Sequence, residues 1–315
     1  MSRVLVTGAS GLLGRQVVRA FQQAGWDVTG TAFSRANGTS LIKVDLEDAA
    51  AVKDALDRVQ PSVVVHCAAN RFPDKVDKDP EGTRRLNIDA SEALATLCAE
   101  RNAVLIYIST DYVFPGKPGE APYEADTTPA PPNLYGESKL DGEKAVLGVY
   151  AKHAGSGRAV VLRVPVLYGS AEKPAESAVN TLLDTVNKVQ AEGVTAKMDH
   201  WSIRYPTNTE DVARVVKDVA TKYKETDAST KLPEVLQFSS EDRFTKYEIC
   251  QLLAGVLGVK LDRLEPDPTG GNVPGGVQRP YDCHLSTKAL KDLGIAVHTQ
   301  NFEDWWKREL KAFRH

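Results

Sequence analysis

Gly8-Ala9-Ser10-Gly11-Leu12-Leu13-Gly14 decides the fold. It follows Arg3-Val4-Leu5-Val6-Thr7, an apolar run of strand type, and precedes a helical pattern through Val17, Val18, Ala20 and Phe21. The reading is strand, glycine turn, helix. Such a turn gathers unpaired backbone N–H groups and the positive end of a helix dipole, where a pyrophosphate can sit. Gly8 permits the tight turn, Gly11 lets a phosphate approach the backbone, and Gly14 lets the helix pack on the strand. Ser10, Leu12 and Leu13 complete the expected phosphate cradle. The spacing is G-x-x-G-x-x-G, and its weight comes from the strand–turn–helix context.

Composition sets outer bounds. The chain has 315 residues, 42% hydrophobic and 26% charged, with a formal net charge of −3. That balance suits a globular protein with a large core and argues against a nucleic-acid or polybasic membrane partner. No apolar run approaches the roughly 20 residues of a membrane helix. The chain enters a strand at once, so no signal peptide is expected. Cys67, Cys98, Cys250 and Cys283 lie far apart without a C-x-x-C pair. Free thiols in a reducing cytoplasm are expected, and neither a disulfide framework nor a metal site.

The second strand, Trp26 to Ala32, bears on cofactor choice. An acidic residue at its end would hold the ribose hydroxyls of NAD; the chain instead runs Phe33-Ser34-Arg35. Arg35 and Ser34 suit a 2′-phosphate, which favours NADP(H) over NAD(H), although a solvated loop arginine reads the same way. A third strand, Leu41 to Val44, ends in Asp45-Leu46, a pair able to flank an adenine or to form an ordinary loop. Ala49 to Val59 reads as a helix. The apolar run Ser62 to His66 reads as a parallel strand buried on both faces. Its end, Cys67-Ala68-Ala69, is small enough for a dinucleotide to cross the sheet. Arg71 beyond it reaches either phosphates or solvent. His66 and Cys67 have no companions spaced as metal ligands and read as core.

Asp79 to Glu100 is expected to be one long helix or a pair, and Ala103 to Ser109 a buried strand. Ser109-Thr110 then stands where open α/β sheets place ligands. After the proline-rich loop from Pro115 to Pro132, Leu134-Tyr135-Gly136-Glu137-Ser138-Lys139-Leu140 opens a helix through Ala145. Tyr135 and Lys139 share a helical face. A nearby ammonium is expected to lower the phenol pKa; Thr110 would then hydrogen-bond a carbonyl that Tyr135 protonates, and Lys139 would also hold ribose hydroxyls. Thr110, Tyr135 and Lys139 are therefore the expected catalytic set.

In the second half, Val161 to Val164 reads as a strand. Helices are expected from Ser177 to Val189, Asn208 to Tyr223, Thr245 to Leu257 with a capping box, and Phe302 to Phe313, with a short one after Ser286. Val235 to Phe238 is a strand, and Pro266 to Gly276 a loop. Trp305 and Trp306 read as packing, and Lys307, Arg308, Lys311 and Arg314 as a solvated face.

With these pieces the chain resembles the extended short-chain dehydrogenase/reductases, in the dTDP-4-dehydrorhamnose reductase (RmlD-like) branch. The resemblance rests on residues 8–14, 109–114 and 135–140, Arg163 through Gly169, Pro206-Thr207 with Asp211-Val212-Ala213, and Arg279-Pro280. It implies an α/β Rossmann-type doubly wound parallel sheet with a small α/β C-terminal lobe. Residues 1–165 would form the NADP-binding domain, with strands also from 205–240. Residues 166–315 would form a lobe for substrate or partner, interleaved with the first. Leu167 joins the expected cofactor contacts. His66-Cys67-Ala68-Ala69, residues 105–109, 131–147 and 198–207, and Thr245 to Glu248 resemble more closely the family of regulatory β subunits of methionine adenosyltransferase.

That resemblance implies NADP binding and a partner, the catalytic subunit that makes S-adenosylmethionine. The alternative is an NADPH-dependent ketoreductase of a nucleotide sugar or related small carbonyl compound. Val164-Pro165-Val166-Leu167 stands where the sugar reductases carry a tryptophan, and Asp199 to Thr207 is longer and bulkier than their equivalent. The β subunits insert a C-terminal tail into their partner. The tail expected here, ending Ala312-Phe313-Arg314-His315, is shorter.

Overall fold

A computed structural model describes residues 2–35, 41–153, 157–227, 229–269 and 276–312. The chain opens with β1 (Arg3–Thr7), α1 (Leu12–Gln23), β2 (Asp27–Ala32), β3 (Leu41–Lys43), α2 (Ala49–Val59) and β4 (Val63–His66). Short helices α3 (Pro73–Val76) and α4 (Pro80–Arg84) lead into α5 (Ala90–Ala99) and β5 (Val104–Thr110). Next come α6 (Leu134–Lys152), β6 (Ala159–Val164), β7 (Leu167–Tyr168), α7 (Thr181–Lys188), β8 (Ala196–Asp199) and β9 (Thr207–Asn208). The chain closes with α8 (Thr209–Glu225), β10 (Val235–Gln237), α9 (Lys246–Leu257), β11 (Leu264–Asp267), α10 (Lys288–Asp292) and α11 (Phe302–Glu309).

Seven strands form one parallel sheet in the order β10-β6-β5-β4-β1-β2-β3. This is the expected doubly wound sheet. The strand order reverses between β1 and β4, and the crevice outside the strand ends there is where such sheets take ligands. Buried aliphatic runs explain the layers. Val4, Val6, Val63, Val65, Ile106 and Leu162 face α1 and α8, while Leu5, Val64, Leu105 and Val161 face α2, α5 and α6. A third core gathers Tyr168, Leu182, Ile249, Leu253, Phe302, Trp305 and Trp306 from the C-terminal part of the chain. The two tryptophans are thus packing residues, as expected.

Some boundaries move for local reasons. The Asp79–Glu100 stretch is α4 and α5 joined by a π-turn over Arg85–Asp89. Helix α6 runs on to Lys152 because Val146 and Val149 extend its buried face. Helix α7 starts at Thr181: the Ser177 hydroxyl accepts from Val179 N and Asn180 N and donates to Leu167 O, holding a turn before the helix. Thr245 makes the expected capping box with Glu248, and Gly258 ends α9 in the left-handed region. The pairs β7–β9 and β8–β11 were not expected; two to four residues give no readable period. The last helix ends at Glu309. The expected Pro266–Gly276 loop begins instead within β11, where Pro266 and Asp267 pair with Met198 and Asp199 of β8; its part at 270–275 and the tail from Phe313 lie outside the described residues. Among the described residues no helix is long and apolar enough to cross a membrane.

Candidate functional site

The glycine turn is closed on itself. Gly8 sits at φ +64°, and a Cβ there would come within 2.9 Å of Ala68 N. A Cβ on Gly14 would come within 2.2 Å of Gly8 O. Any side chain at Gly14 would push α1 off the turn. Gly11 N donates to Gly8 O, and Gly11, just before α1, has no side chain to cap the helix. Its first N–H groups are therefore left for a ligand. This arrangement fits a pyrophosphate.

A cavity of about 280 Å³ lies beside the turn. It brings together Leu12, Leu13, Cys67, Ala69, Arg71, Thr110, Tyr135, Lys139 and Leu167 of the expected residues. Gly8, Ser10, Gly11, Gly14 and Ala68 form the adjoining turn and strand end. Phe33, Ser34, Arg35, Asp45 and Leu46 follow β2 and β3 and do not line the cavity. Phe33 is 61% exposed, with Lys43 over its ring, and Asp45 accepts from Glu47 N in a turn.

Burial pushes the Cys67 thiol up to about 12 and pulls the His66 imidazole down to about 3. His66 is hydrogen-bonded to Thr7 Oγ1 at 2.7 Å and Ser91 Oγ at 3.0 Å. Both are neutral; His66 is buried and Cys67 lines the cavity. No cluster of three His, Cys, Asp or Glu suited to a metal exists among the described residues.

Thr110 ends β5, where its hydroxyl donates to Asp111 Oδ1 and accepts from Tyr112 N. Asn133 caps α6 through Gly136 N, which sets the start of the helix carrying Tyr135 and Lys139. Burial pushes the Tyr135 phenol up to about 12, outweighing a hydrogen bond with Thr110. Lys139 is 3% exposed, and its ammonium donates to Tyr107 Oη at 2.7 Å. Burial pulls it down to about 7, against the attraction of Glu143. The expected lowering of the Tyr135 pKa by Lys139 is therefore not realised: the ammonium is turned onto Tyr107, and desolvation of the phenol prevails. Gly142 permits this, since a Cβ there would meet Tyr107 Oη at 2.2 Å and Asn87 O at 2.5 Å.

Three further features were not anticipated as parts of the site. Arg204 and Lys246 line the cavity, and Arg279 pairs with Asp74 at its wall. Arg204 Nη2 is buried and has no hydrogen-bond partner among the described residues. Burial, with Arg204 and Arg279 nearby, pulls Lys246 down to about 8. The third feature is Glu176. It accepts from Arg15 Nη2 at 2.7 Å and Arg35 Nη1 at 2.6 Å, and its carbonyl accepts from Arg71 Nη2 at 2.6 Å. Charge alone does not flag a glutamate in a polar segment; only the fold brings it to three arginines.

The RmlD substrate binding domain model matches residues 2–314. The chain belongs to this family. Among similar proteins, the methionine adenosyltransferase 2 subunit beta of Pongo abelii is 44% identical over 297 residues, covering 94% of this chain and 84% of that protein. The Danio rerio subunit of the same name is 39% identical over 317 residues, covering 99% and 91%. Among solved structures, the dTDP-4-dehydrorhamnose reductase of Bacillus anthracis in complex with NADP superposes with a TM-score of 0.78 at 22% identity, covering 99% of each chain. That likeness shows the fold, a Rossmann-type doubly wound sheet.

Proposed function

We propose that this chain is an NADP(H)-binding regulatory β subunit of a methionine adenosyltransferase. The observation that carries this is near-full-length similarity, at up to 44% identity, to proteins named methionine adenosyltransferase 2 subunit beta. The closed glycine turn and uncapped α1 support the dinucleotide half of the reading. Gly8 through Gly14 and Arg71 would hold the phosphates. Phe33, Ser34 and Arg35 would meet the 2′-phosphorylated ribose, Asp45 and Leu46 the adenine, and Cys67 through Ala69, Leu167 and Lys139 the nicotinamide end.

The test is calorimetry of the NADP-loaded protein against the methionine adenosyltransferase catalytic subunit of the same organism. Saturable binding is expected. No binding, with the dinucleotide confirmed in place, overturns the regulatory reading.

A second reading is an NADPH-dependent reductase of a nucleotide sugar or related carbonyl compound. Thr110, Tyr135 and Lys139 on one cavity favour it, as do the cations Arg204, Lys246 and Arg279 at its wall, which suit a diphosphate. A bound nicotinamide dinucleotide would supply the hydride. Thr110 would orient the carbonyl oxygen, Tyr135 Oη would hold the proton delivered to that oxygen, and Lys139 would orient the ribose.

A further inference from the structure

The segment between β7 and α7 reaches over the start of α1 and places one carboxylate among three arginines. Glu176 accepts from Arg15 on α1 and from Arg35 after β2, and its carbonyl accepts from Arg71 after β4. Glu172 lies behind it, 3.6 Å from Arg15 and 3.4 Å from Arg35, and its N–H donates to Glu176 Oε2 at 3.1 Å. The Glu176 side chain is only 12% exposed. Burial works to raise its pKa, but hydrogen bonds from Arg15 and Arg35 prevail and hold the carboxyl down at about 2.

Arg15 and Arg71 stand on elements flanking the crevice where the strand order reverses between β1 and β4, and Arg35 follows the neighbouring β2. A carboxylate and a phosphate monoester use a guanidinium in the same way, as paired oxygen acceptors. Two anions sharing one cation pair repel each other. A phosphate monoester carries about 1.5 to 2 negative charges at neutral pH, more than a carboxylate, so it is the stronger claimant.

We infer that Glu176 is an internal counter-anion occupying the Arg15–Arg35 pair that would face the 2′-phosphate of the cofactor, so that cofactor binding displaces it and loosens the 170–177 segment. This rests on the NADP(H) reading above. Glu176 is then the residue that sets how strongly the 2′-phosphate contributes to binding. In the free protein it keeps Arg35 paired, and in the bound protein it yields that arginine.

The experiment is calorimetry of adenosine 2′,5′-bisphosphate and of 5′-AMP with the full chain, as wild type and as Glu176→Gln. The variant is expected to bind the bisphosphate roughly ten-fold more tightly than wild type and 5′-AMP within two-fold of it. Should Glu176→Gln not fold, amide hydrogen exchange of the wild type decides. The Glu172 amide, which donates to Glu176, is expected to exchange faster once the bisphosphate is bound. A folded variant that binds the bisphosphate no tighter than wild type overturns the inference. Without a folded variant, unchanged or slower exchange at Glu172 does so. A wild type that binds neither probe overturns the NADP(H) reading itself, which separates the two failures.

Discussion

The Lys139 ammonium donates to the Tyr107 hydroxyl at 2.7 Å and lies 3.9 Å from the centre of the same ring. A strand residue thus holds the charge that the helix alone would aim along its own face at Tyr135. Removing the hydroxyl leaves a buried cation without its acceptor. Tyr107→Phe is expected to cost about 1–3 kcal/mol of unfolding free energy in urea titration. A loss under about 0.5 kcal/mol would mean that the ammonium finds another partner.

The same burial makes stability depend on pH with a definite sign. Lys139 titrates at about 7 in the folded chain, against 10.5 ordinarily. Between those values the unfolded chain holds more protons, so stability rises with pH across that window, and the full penalty applies below pH 7. Lys139→Met removes the term. The stability of wild type relative to Lys139→Met is expected to rise by about 2 kcal/mol between pH 6.5 and pH 9. A flat difference would show that Lys139 is charged throughout.

His66 works at the acid end. Burial lowers it to about 3, so the unfolded chain takes up a proton below pH 6.5 that the folded chain refuses. This contribution is present above pH 6.5 and is lost as the pH falls toward 3. By pH 4.5 the loss is about 2.5 kcal/mol. His66→Asn, which does not titrate, is expected to lose less stability over the same range. Equal acid sensitivity of the two proteins in urea titrations would remove His66 as the cause.

Much of this molecule can be read from the chain, and the unread part has a physical cause. The glycine turn, the β-sheet runs and the α9 capping box are local signals, each carried by a few neighbouring residues. Thr110, Tyr135 and Lys139 announce themselves through strand end and helix spacing. The Tyr107–Lys139 bond joins residues 32 apart, and the Arg35–Glu176 pair joins residues 141 apart. No period or spacing encodes either. The direction of the Tyr135 pKa was missed for a related reason: spacing gives proximity, whereas desolvation depends on everything packed around the ring.

Arg35 tests the proposed preference for NADP(H) over NAD(H). Its guanidinium follows β2 in the run Phe33-Ser34-Arg35, which carries no acidic residue of its own. Arg35→Ala is expected to weaken NADPH at least roughly ten-fold more than NADH in fluorescence titration, since a charge-assisted pair is lost only with the former. Equal loss for both would remove the 2′-phosphate role.

Tyr135 tests whether the chemical apparatus functions. With its phenol pushed up to about 12, the group is protonated at neutral pH and suited to donate a proton, and poorly suited to remove one. Tyr135→Phe deletes that proton while keeping the ring that packs edge-on to Tyr112 at 5.9 Å. If the protein reduces a keto-sugar nucleotide with NADPH, the variant is expected to lose turnover by roughly 10²–10⁴-fold, with dinucleotide affinity within two-fold of wild type. Binding to methionine adenosyltransferase should be unchanged, because Tyr135 lies inside the cavity. Turnover that survives the substitution would exclude Tyr135 as the acid. Absence of turnover in the wild type, alongside intact partner binding, would leave the phenol as part of a dinucleotide pocket whose output is the regulated partner.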